Sequence, residues 1–120
     1  MKKVMLIEDD KTMQSLIRTL LEMEGFRVEL PGEFQENFIL NLINKNRPDT
    51  MVIDVNLRQM SGIELLKKIR SNKNLDSIKI LMSSGLDLKD DCIKAGANAF
   101  LQKPYMPDQL IGLLKSNLKP

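Results

Sequence analysis

The sequence predicts an α/β fold in which a parallel sheet is covered by helices on both faces. Short, nearly continuous apolar runs, typical of strands buried on both sides, alternate with segments whose apolar residues recur at helical spacing. Five strands alternating with five helices favour a parallel sheet with right-handed crossover connections. A length of 120 residues suits one such domain and is too short for two ordinary ones.

Five short segments have the composition of strands. Four are near-continuous apolar runs that end in polar residues or turns, and the second alternates apolar and polar side chains. In chain order, the predicted strands are residues 4–7, 26–30, 51–53, 78–82 and 99–101.

Five segments between and after these strands carry apolar stripes at helical spacing. The first helix is expected to start at Lys11 and end at Gly25, and the second must stop before Pro48. Pro107 suits the first turn of the last helix. The five stripes run from Met13 to Leu21, Phe34 to Ile43, Ile63 to Ile69, Leu88 to Ala95 and Leu110 to Leu118.

Composition excludes several classes of protein. The net charge of +2 is too small to indicate nucleic acid or an anionic membrane as a partner. There is no histidine, and Cys92 is the single cysteine, which excludes Ser-His and Cys-His nucleophile pairs, a cysteine zinc cluster and an internal disulfide. No apolar run is long enough for a membrane span or a signal-peptide core, so we expect a cytoplasmic protein.

The residues at the carboxyl ends of the predicted strands complement one another chemically. Ligands of open parallel sheets bind outside this edge. Glu8, Asp9 and Asp54 would repel one another there unless a cation neutralises them, and such hard oxygen ligands suit Mg²⁺. Lys103 adds a compact positive charge and Ser84 a hydroxyl. A carboxylate in this setting can act as a nucleophile towards phosphorus.

Each of these residues taken alone also has an ordinary structural interpretation. Asp10 is expected to cap the helix that follows it, and Cys92 to be an inert helix residue. Asp54 alone could be a polar strand end, and Lys103 alone a solvated lysine. A functional site is favoured because four strand ends each supply a group.

These residues resemble the motifs of one known family, the receiver domains of two-component response regulators. The resemblance extends over nearly the whole chain. It consists of an acidic pair, an acceptor aspartate, a glycine eight residues later, a serine thirty residues after the acceptor and a lysine–proline pair. Here they are Glu8-Asp9, Asp54, Gly62, Ser84 and Lys103-Pro104. Each motif alone is weak, but their order and spacing together are specific.

The resemblance implies a fold and a metal site. The fold is the flavodoxin-like doubly wound sandwich, with strands in the order 2-1-3-4-5. Asp9 and Asp54 would ligate Mg²⁺ directly, and Glu8 directly or through water. Asn56 would give the metal its backbone carbonyl, with its side chain facing the phosphoryl site.

The resemblance also implies a phosphorylation switch. Asp54 would accept the phosphoryl group, Ser84 would hydrogen-bond one of its oxygens, and Lys103 would pair first with Asp54 and then with the phosphate. Phe100 matches the family's aromatic switch position, and Lys103-Pro104 resembles its cis peptide. The implied product is an aspartyl phosphate, so we expect a switch that assists its own phosphorylation and dephosphorylation, and not an enzyme.

Partners follow from the same resemblance. A histidine kinase or histidine phosphotransfer protein would dock beside the first helix and donate the phosphoryl group. The face formed by helix four, strand five and helix five would then bind a downstream target protein, with no direct binding of nucleic acid or membrane. We expect residues 1–120 to be one receiver domain of the stand-alone type, without an output domain.

Two alternatives stay open beside the phosphorylated switch. A pseudo-receiver would act as an interaction module without phosphorylation, although such modules usually lose some of the residues that are intact here. A Mg²⁺-dependent phosphatase or phosphohydrolase with an aspartate nucleophile needs a second acid two residues after it, where this chain has Asn56.

Three features depart from the family pattern. Arg58 stands where the family usually has proline, which predicts a more mobile loop. The segment between Ser84 and Gly96 is shorter than usual, which predicts a remodelled helix four and signalling face. The stretch 29–46 lacks the alanine and glycine pattern that the family commonly has around helix two.

Overall fold

Five parallel strands form one sheet in the order β2-β1-β3-β4-β5 in the computed structural model, which describes residues 2–116. This order confirms the predicted fold class. Parallel pairing brings the carboxyl ends of all five strands to one edge. The strands are β1 (Lys3–Ile7), β2 (Arg27–Glu29), β3 (Thr50–Asp54), β4 (Lys79–Ser84) and β5 (Ala99–Gln102).

Helices cover the sheet on both faces. Buried side chains of α2, α3 and α4 pack in one apolar cluster, and those of α1 and α5 pack in a second cluster. A short 3₁₀ turn, Lys73–Leu75, precedes β4. The helices are α1 (Lys11–Met23), α2 (Glu36–Asn46), α3 (Gly62–Arg70), α4 (Lys89–Lys94) and α5 (Pro107–Lys115).

The β1 strand shows why the strand segments read as continuous apolar runs. Met5 and Ile7 belong to the cluster beneath α2, α3 and α4, whereas Val4 and Leu6 belong to the cluster beneath α1 and α5. Successive side chains point to opposite faces of a sheet, so a strand with helices on both faces needs an apolar residue at every position.

The ends of the first two helices largely follow the prediction. The side chain of Asp10 accepts a hydrogen bond of 3.0 Å from the backbone N–H of Met13, which confirms its expected role as the N-cap of α1. The α2 helix ends at Asn46, before Pro48. Cys92 lies buried in α4.

Two of the predicted helical stripes differ in detail from the structure. Phe34 lies outside α2, because the side chain of Gln35 accepts the N–H of Phe38 and caps the helix there. Leu16 lies on the predicted stripe of α1 but is 52% exposed, since Ile17 and Leu21 are the residues that face the sheet. The predicted stripe of α5 extends to Leu118, which lies outside the described residues.

Within residues 2–116, none of the helices has the length and apolar content needed to span a bilayer.

Candidate functional site

Four strands deliver the predicted site residues to one edge of the sheet. Glu8 follows β1, Asp54 ends β3, Ser84 ends β4, and Lys103 follows β5. These strands are consecutive neighbours in the sheet, so residues far apart in sequence lie side by side. The structure therefore brings these residues together at the edge where open parallel sheets bind ligands.

Three carboxylates form the acidic part of this site. Glu8, Asp9 and Asp54 can each place one carboxylate oxygen within 4.8 Å of the others. Glu8 is 3% exposed and Asp54 7% exposed, whereas Asp9 is half-buried. Hard oxygen donors so close together match the preference of Mg²⁺.

The charge on Glu8 is poorly compensated by the protein. Burial raises the pKa of Glu8, and the like charge of Asp54 raises it further. The hydrogen bond from Lys103 and the one from the backbone N–H of Asp10 lower this pKa, but not enough to offset burial. A cation at this position would relieve the repulsion between the carboxylates, so the residues present fit a metal ion.

Lys103 is the cation of the site. Its Nζ lies 2.9 Å from Oε1 of Glu8 and 3.3 Å from Oδ2 of Asp54. Burial disfavours the ammonium charge, but the hydrogen bond to Glu8 and the charges of Asp54 and Glu8 together outweigh burial and raise the pKa of Lys103. Lys103 is therefore charged at neutral pH. The Lys103–Pro104 peptide bond is cis.

Ser84 and Asn56 are joined by a hydrogen bond. Oγ of Ser84 donates to Oδ1 of Asn56 at 2.7 Å and accepts from the N–H of Leu86 at 3.1 Å. The backbone N–H of Asn56 donates to Oδ1 of Asp54 at 3.2 Å. Both oxygens of Asp54 thus have a donor, since Lys103 approaches the other oxygen.

Gly62 allows α3 to begin directly against the backbone of β3. A Cβ atom at this position would lie 2.2 Å from the carbonyl oxygen of Asp54, closer than real Cβ contacts come. The hydroxyl of Ser61 caps the helix by accepting the N–H of Glu64. Glycine is needed here for the close approach of two backbone segments.

Phe100 lies in β5, opposite Met82 of β4 and three residues before Lys103. Its partly buried ring packs with the apolar cluster beneath α2, α3 and α4. The structure thus places Phe100 on the strand that leads to Lys103, with its ring against the apolar core.

Two features of the site were not found from the sequence. The hydroxyl of Tyr105 is buried and has no hydrogen-bond partner among the described residues, and burial raises its pKa. The backbone N–H of Arg58 donates to Oδ2 of Asp9 at 2.7 Å. Tyr105 directly follows Lys103-Pro104 in the sequence, and this position could have suggested that it lies near the site. No sequence signal predicts the hydrogen bond from Arg58 to Asp9.

The sequence profile of the response regulator receiver domain matches residues 4–115. The chain belongs to the response regulator receiver family. This receiver is 29% identical over 120 residues to response regulator MprA of Mycobacterium sp. (strain KMS), an alignment that covers 98% of this chain and 50% of MprA. The receiver thus spans about half the length of the curated relatives it matches.

Solved structures similar to this receiver share its fold. The Francisella response regulator 1452 receiver domain is 31% identical, with a TM-score of 0.87 over 98% of this chain and 97% of that chain. The chemotaxis response regulator CheY4 of Vibrio cholerae is 27% identical, with a TM-score of 0.86 over 98% of each chain. The predicted family and the 2-1-3-4-5 strand order are therefore confirmed.

Proposed function

We propose that this receiver accepts a phosphoryl group on Asp54 in a Mg²⁺-dependent reaction and thereby switches a protein-interaction surface. The observation that carries the proposal is the convergence at one strand edge of a buried acceptor carboxylate, two further carboxylates and a lysine 3.3 Å from the acceptor. Positioning and charge neutralisation supply most of the catalysis in phosphoryl transfer, and this set of groups can provide both.

The metal ligands in this proposal are Glu8, Asp9 and Asp54, together with the backbone carbonyl of Asn56. A Mg²⁺ ion held by these groups would supply positive charge that neutralises the carboxylates and the incoming phosphoryl group. The other groups act from their own positions: Lys103 is charged and within reach of Asp54, and its compact ammonium suits a phosphoryl oxygen.

The transfer step uses the carboxylate of Asp54 as the nucleophile. A carboxylate oxygen attacks phosphorus, the O–P bond forms, and the bond between phosphorus and the donor's leaving group breaks. With a phosphohistidine donor, the leaving group is the imidazole of the partner protein. The product is an aspartyl phosphate, and the protein serves as a phosphoacceptor switch rather than as an enzyme.

The switch begins at Ser84. To donate to a new phosphoryl oxygen, its hydroxyl must leave Oδ1 of Asn56, where it donates in this structure. Movement of Ser84 at the end of β4 would reach β5, which pairs with β4 and carries Phe100. Phosphorylation would thereby bias the surface formed by α4, β5 and α5 between two conformations.

The remaining parts of the proposal concern context. We propose that residues 1–120 work as one receiver domain in the cytoplasm, that a histidine kinase or histidine phosphotransfer protein is the donor, and that a downstream target protein binds the surface of α4, β5 and α5. Family membership and the chemotaxis role in the name of CheY4 support protein partners of this kind.

The test is phosphorylation by a small donor. The protein is incubated with acetyl phosphate and Mg²⁺, and the intact mass is measured beside Asp54→Asn and Asp90→Asn. Asp90 is an exposed acid in the first turn of α4 and serves as the matched control. We expect a phosphoryl mass increase in the wild type and in Asp90→Asn, dependent on Mg²⁺ and absent in Asp54→Asn.

The pseudo-receiver alternative makes the opposite prediction for the same experiment. Under that alternative, the wild type would show neither a phosphoryl mass increase nor Mg²⁺ binding. This result would overturn the proposed function while leaving the family assignment in place.

A further inference from the structure

The three carboxylates of the site are each held by a backbone N–H, but not in the same way. Glu8 accepts from Asp10 at 3.1 Å and Asp54 accepts from Asn56 at 3.2 Å, in both cases two residues further along the same loop. These two contacts are local and form wherever the loop takes this conformation.

Asp9 is held differently. Its Oδ2 accepts the N–H of Arg58 at 2.7 Å, from a residue 49 positions away in the loop between β3 and α3. A hydrogen bond to a carboxylate at this distance is a strong one. The bond joins the loop after β1 to the loop after β3, and thus two of the elements that supply the carboxylates.

The bond depends on the backbone of Arg58 and not on its side chain. Every residue except proline has the N–H needed for it. Arg58 stands where the family that the sequence resembles usually has proline, so this chain has a donor at a position where that residue would have none.

We propose that Arg58 is a positioning residue for the metal site, whose backbone N–H fixes the carboxylate of Asp9 in the orientation needed to ligate Mg²⁺. The inference rests on the proposed function, which supplies Mg²⁺ as the ligand. Oδ2 of Asp9 accepts this N–H, and Oδ1 has no hydrogen-bond donor within residues 2–116, so it would be available to the metal. Hydrogen bonds to ligating carboxylates orient them, and a ligand that is already oriented loses less side-chain freedom when the metal binds.

The first test measures Mg²⁺ affinity by isothermal titration calorimetry in the wild type, Arg58→Ala and Arg58→Pro. Arg58→Ala removes the side chain and keeps the N–H, so it is the matched control and should bind as the wild type does. Arg58→Pro removes the N–H and should bind Mg²⁺ about tenfold more weakly. Equal affinity in Arg58→Pro, or an equal loss in Arg58→Ala, would overturn the inference.

A second measurement needs no substitution and so does not depend on how Arg58→Pro folds. Hydrogen exchange of the Arg58 amide is followed by NMR in the wild type with and without Mg²⁺. A positioning bond predicts slowed exchange in both conditions. Unprotected exchange without Mg²⁺, or loss of protection when Mg²⁺ binds, contradicts it, since the latter would make the N–H a competitor of the metal.

The outcomes separate the two proposals. A wild type that binds Mg²⁺ and is phosphorylated, with Arg58→Pro indistinguishable from it, overturns the role of Arg58 alone. A wild type that binds no Mg²⁺ overturns the proposed function and this inference together.

Discussion

At each of the two edges of the sheet, a long cationic side chain lies among oxygen acceptors. The acceptors are carboxylates at one edge and neutral oxygens at the other. At the carboxyl edge, Lys103 faces the carboxylates of Glu8 and Asp54. At the opposite edge, the acceptors of Arg70 within residues 2–116 are all neutral oxygens, at 2.8 to 3.3 Å. These are the backbone carbonyls of Gly96, Leu75 and Ile78 and the side-chain carbonyl of Asn98.

The difference shows how a structural cluster differs from a binding site. Burial lowers the pKa of Arg70, and Asp76 partly offsets this effect. The donors of Arg70 are nevertheless matched by fixed carbonyls that hold the end of α3 against the segments flanking β4 and β5. At the carboxyl edge, three carboxylates lie together and one lysine contacts two of them, so negative charge is in excess and a further cation is favoured.

Each edge also contains a glycine in close contact, but with different kinds of neighbour. Gly62 meets the backbone of Asp54, whereas a Cβ at Gly96 would lie 2.6 Å from Cγ of the Arg70 side chain. Backbone cannot move aside as a flexible side chain can. The carboxyl edge should therefore be the less tolerant of added volume.

The largest expected effect tests whether the carboxyl edge tolerates added volume at Gly62. Gly62→Ala should lower the free energy of unfolding by about 3 kcal/mol, because the new methyl group would collide with the carbonyl of Asp54. Urea denaturation measures the change. Gly112→Ala is the matched control, since no atom in the described part of the chain lies within 4 Å of a Cβ there. In the interior of α5 it should stabilise by about 0.5–1 kcal/mol. A similar loss in both variants would contradict the prediction.

The second-largest expected effect is stabilisation by Mg²⁺, which should depend on the carboxyl edge and not on the opposite edge. At a concentration one hundred times its dissociation constant, Mg²⁺ should raise the free energy of unfolding by about 2.7 kcal/mol, because the proposed site exists only in the folded state. Asp9→Asn should lose most of this increase, and Arg70→Ala should keep it, since distant sites contribute independently. An increase that disappears in Arg70→Ala would show that the edges are coupled.

Arg70 itself should be a determinant of stability. Arg70→Ala should cost about 2 kcal/mol in urea denaturation, because it leaves the carbonyls of Gly96 and Ile78 without this donor at a half-buried position. Arg18→Ala is the control: Arg18 is exposed and, among the described residues, pairs with Glu22 on the same helix, so its loss should cost less than about 0.5 kcal/mol. Equal losses of stability in the two variants would mean that the carbonyls bound by Arg70 find other donors.

The smallest effect concerns the excess charge at the carboxyl edge. Without metal, Glu8→Gln should raise stability at neutral pH by about 1 kcal/mol, because the ionised form of a buried carboxylate is costly. Folding raises the pKa of Glu8, so the folded state binds this proton more tightly. The contribution of Glu8 to stability therefore falls as the pH rises from the unfolded pKa through the folded one.

The difference between Glu8→Gln and the wild type should therefore grow from acid to neutral pH, as urea denaturation at several pH values can measure. Glu64→Gln is the control, since this carboxylate is exposed and its substitution should change stability little at any pH. A constant difference across this range would assign the effect of Glu8 to packing instead of charge.

The sequence alone predicted the fold class and the polar residues, from Glu8 to Lys103, that the structure brings to one edge of the sheet. Helices on both faces require continuous apolar strands, and parallel strands that end in polar residues must present them at one edge. The prediction was wrong for Phe34 because the local cap at Gln35, not the apolar stripe, decides where α2 begins.

Only the tertiary structure decided which donors serve these residues. The bond from Arg58 to Asp9 spans 49 positions, and that from Arg70 to Asn98 spans 28. Both depend on how closely segments far apart in sequence approach one another: two loops for Arg58 and Asp9, and the end of α3 and the segment before β5 for Arg70 and Asn98. Residue type and spacing carry no such distances, whereas the alternation of strands with helices and the burial of the strands do follow from the pattern of apolar side chains.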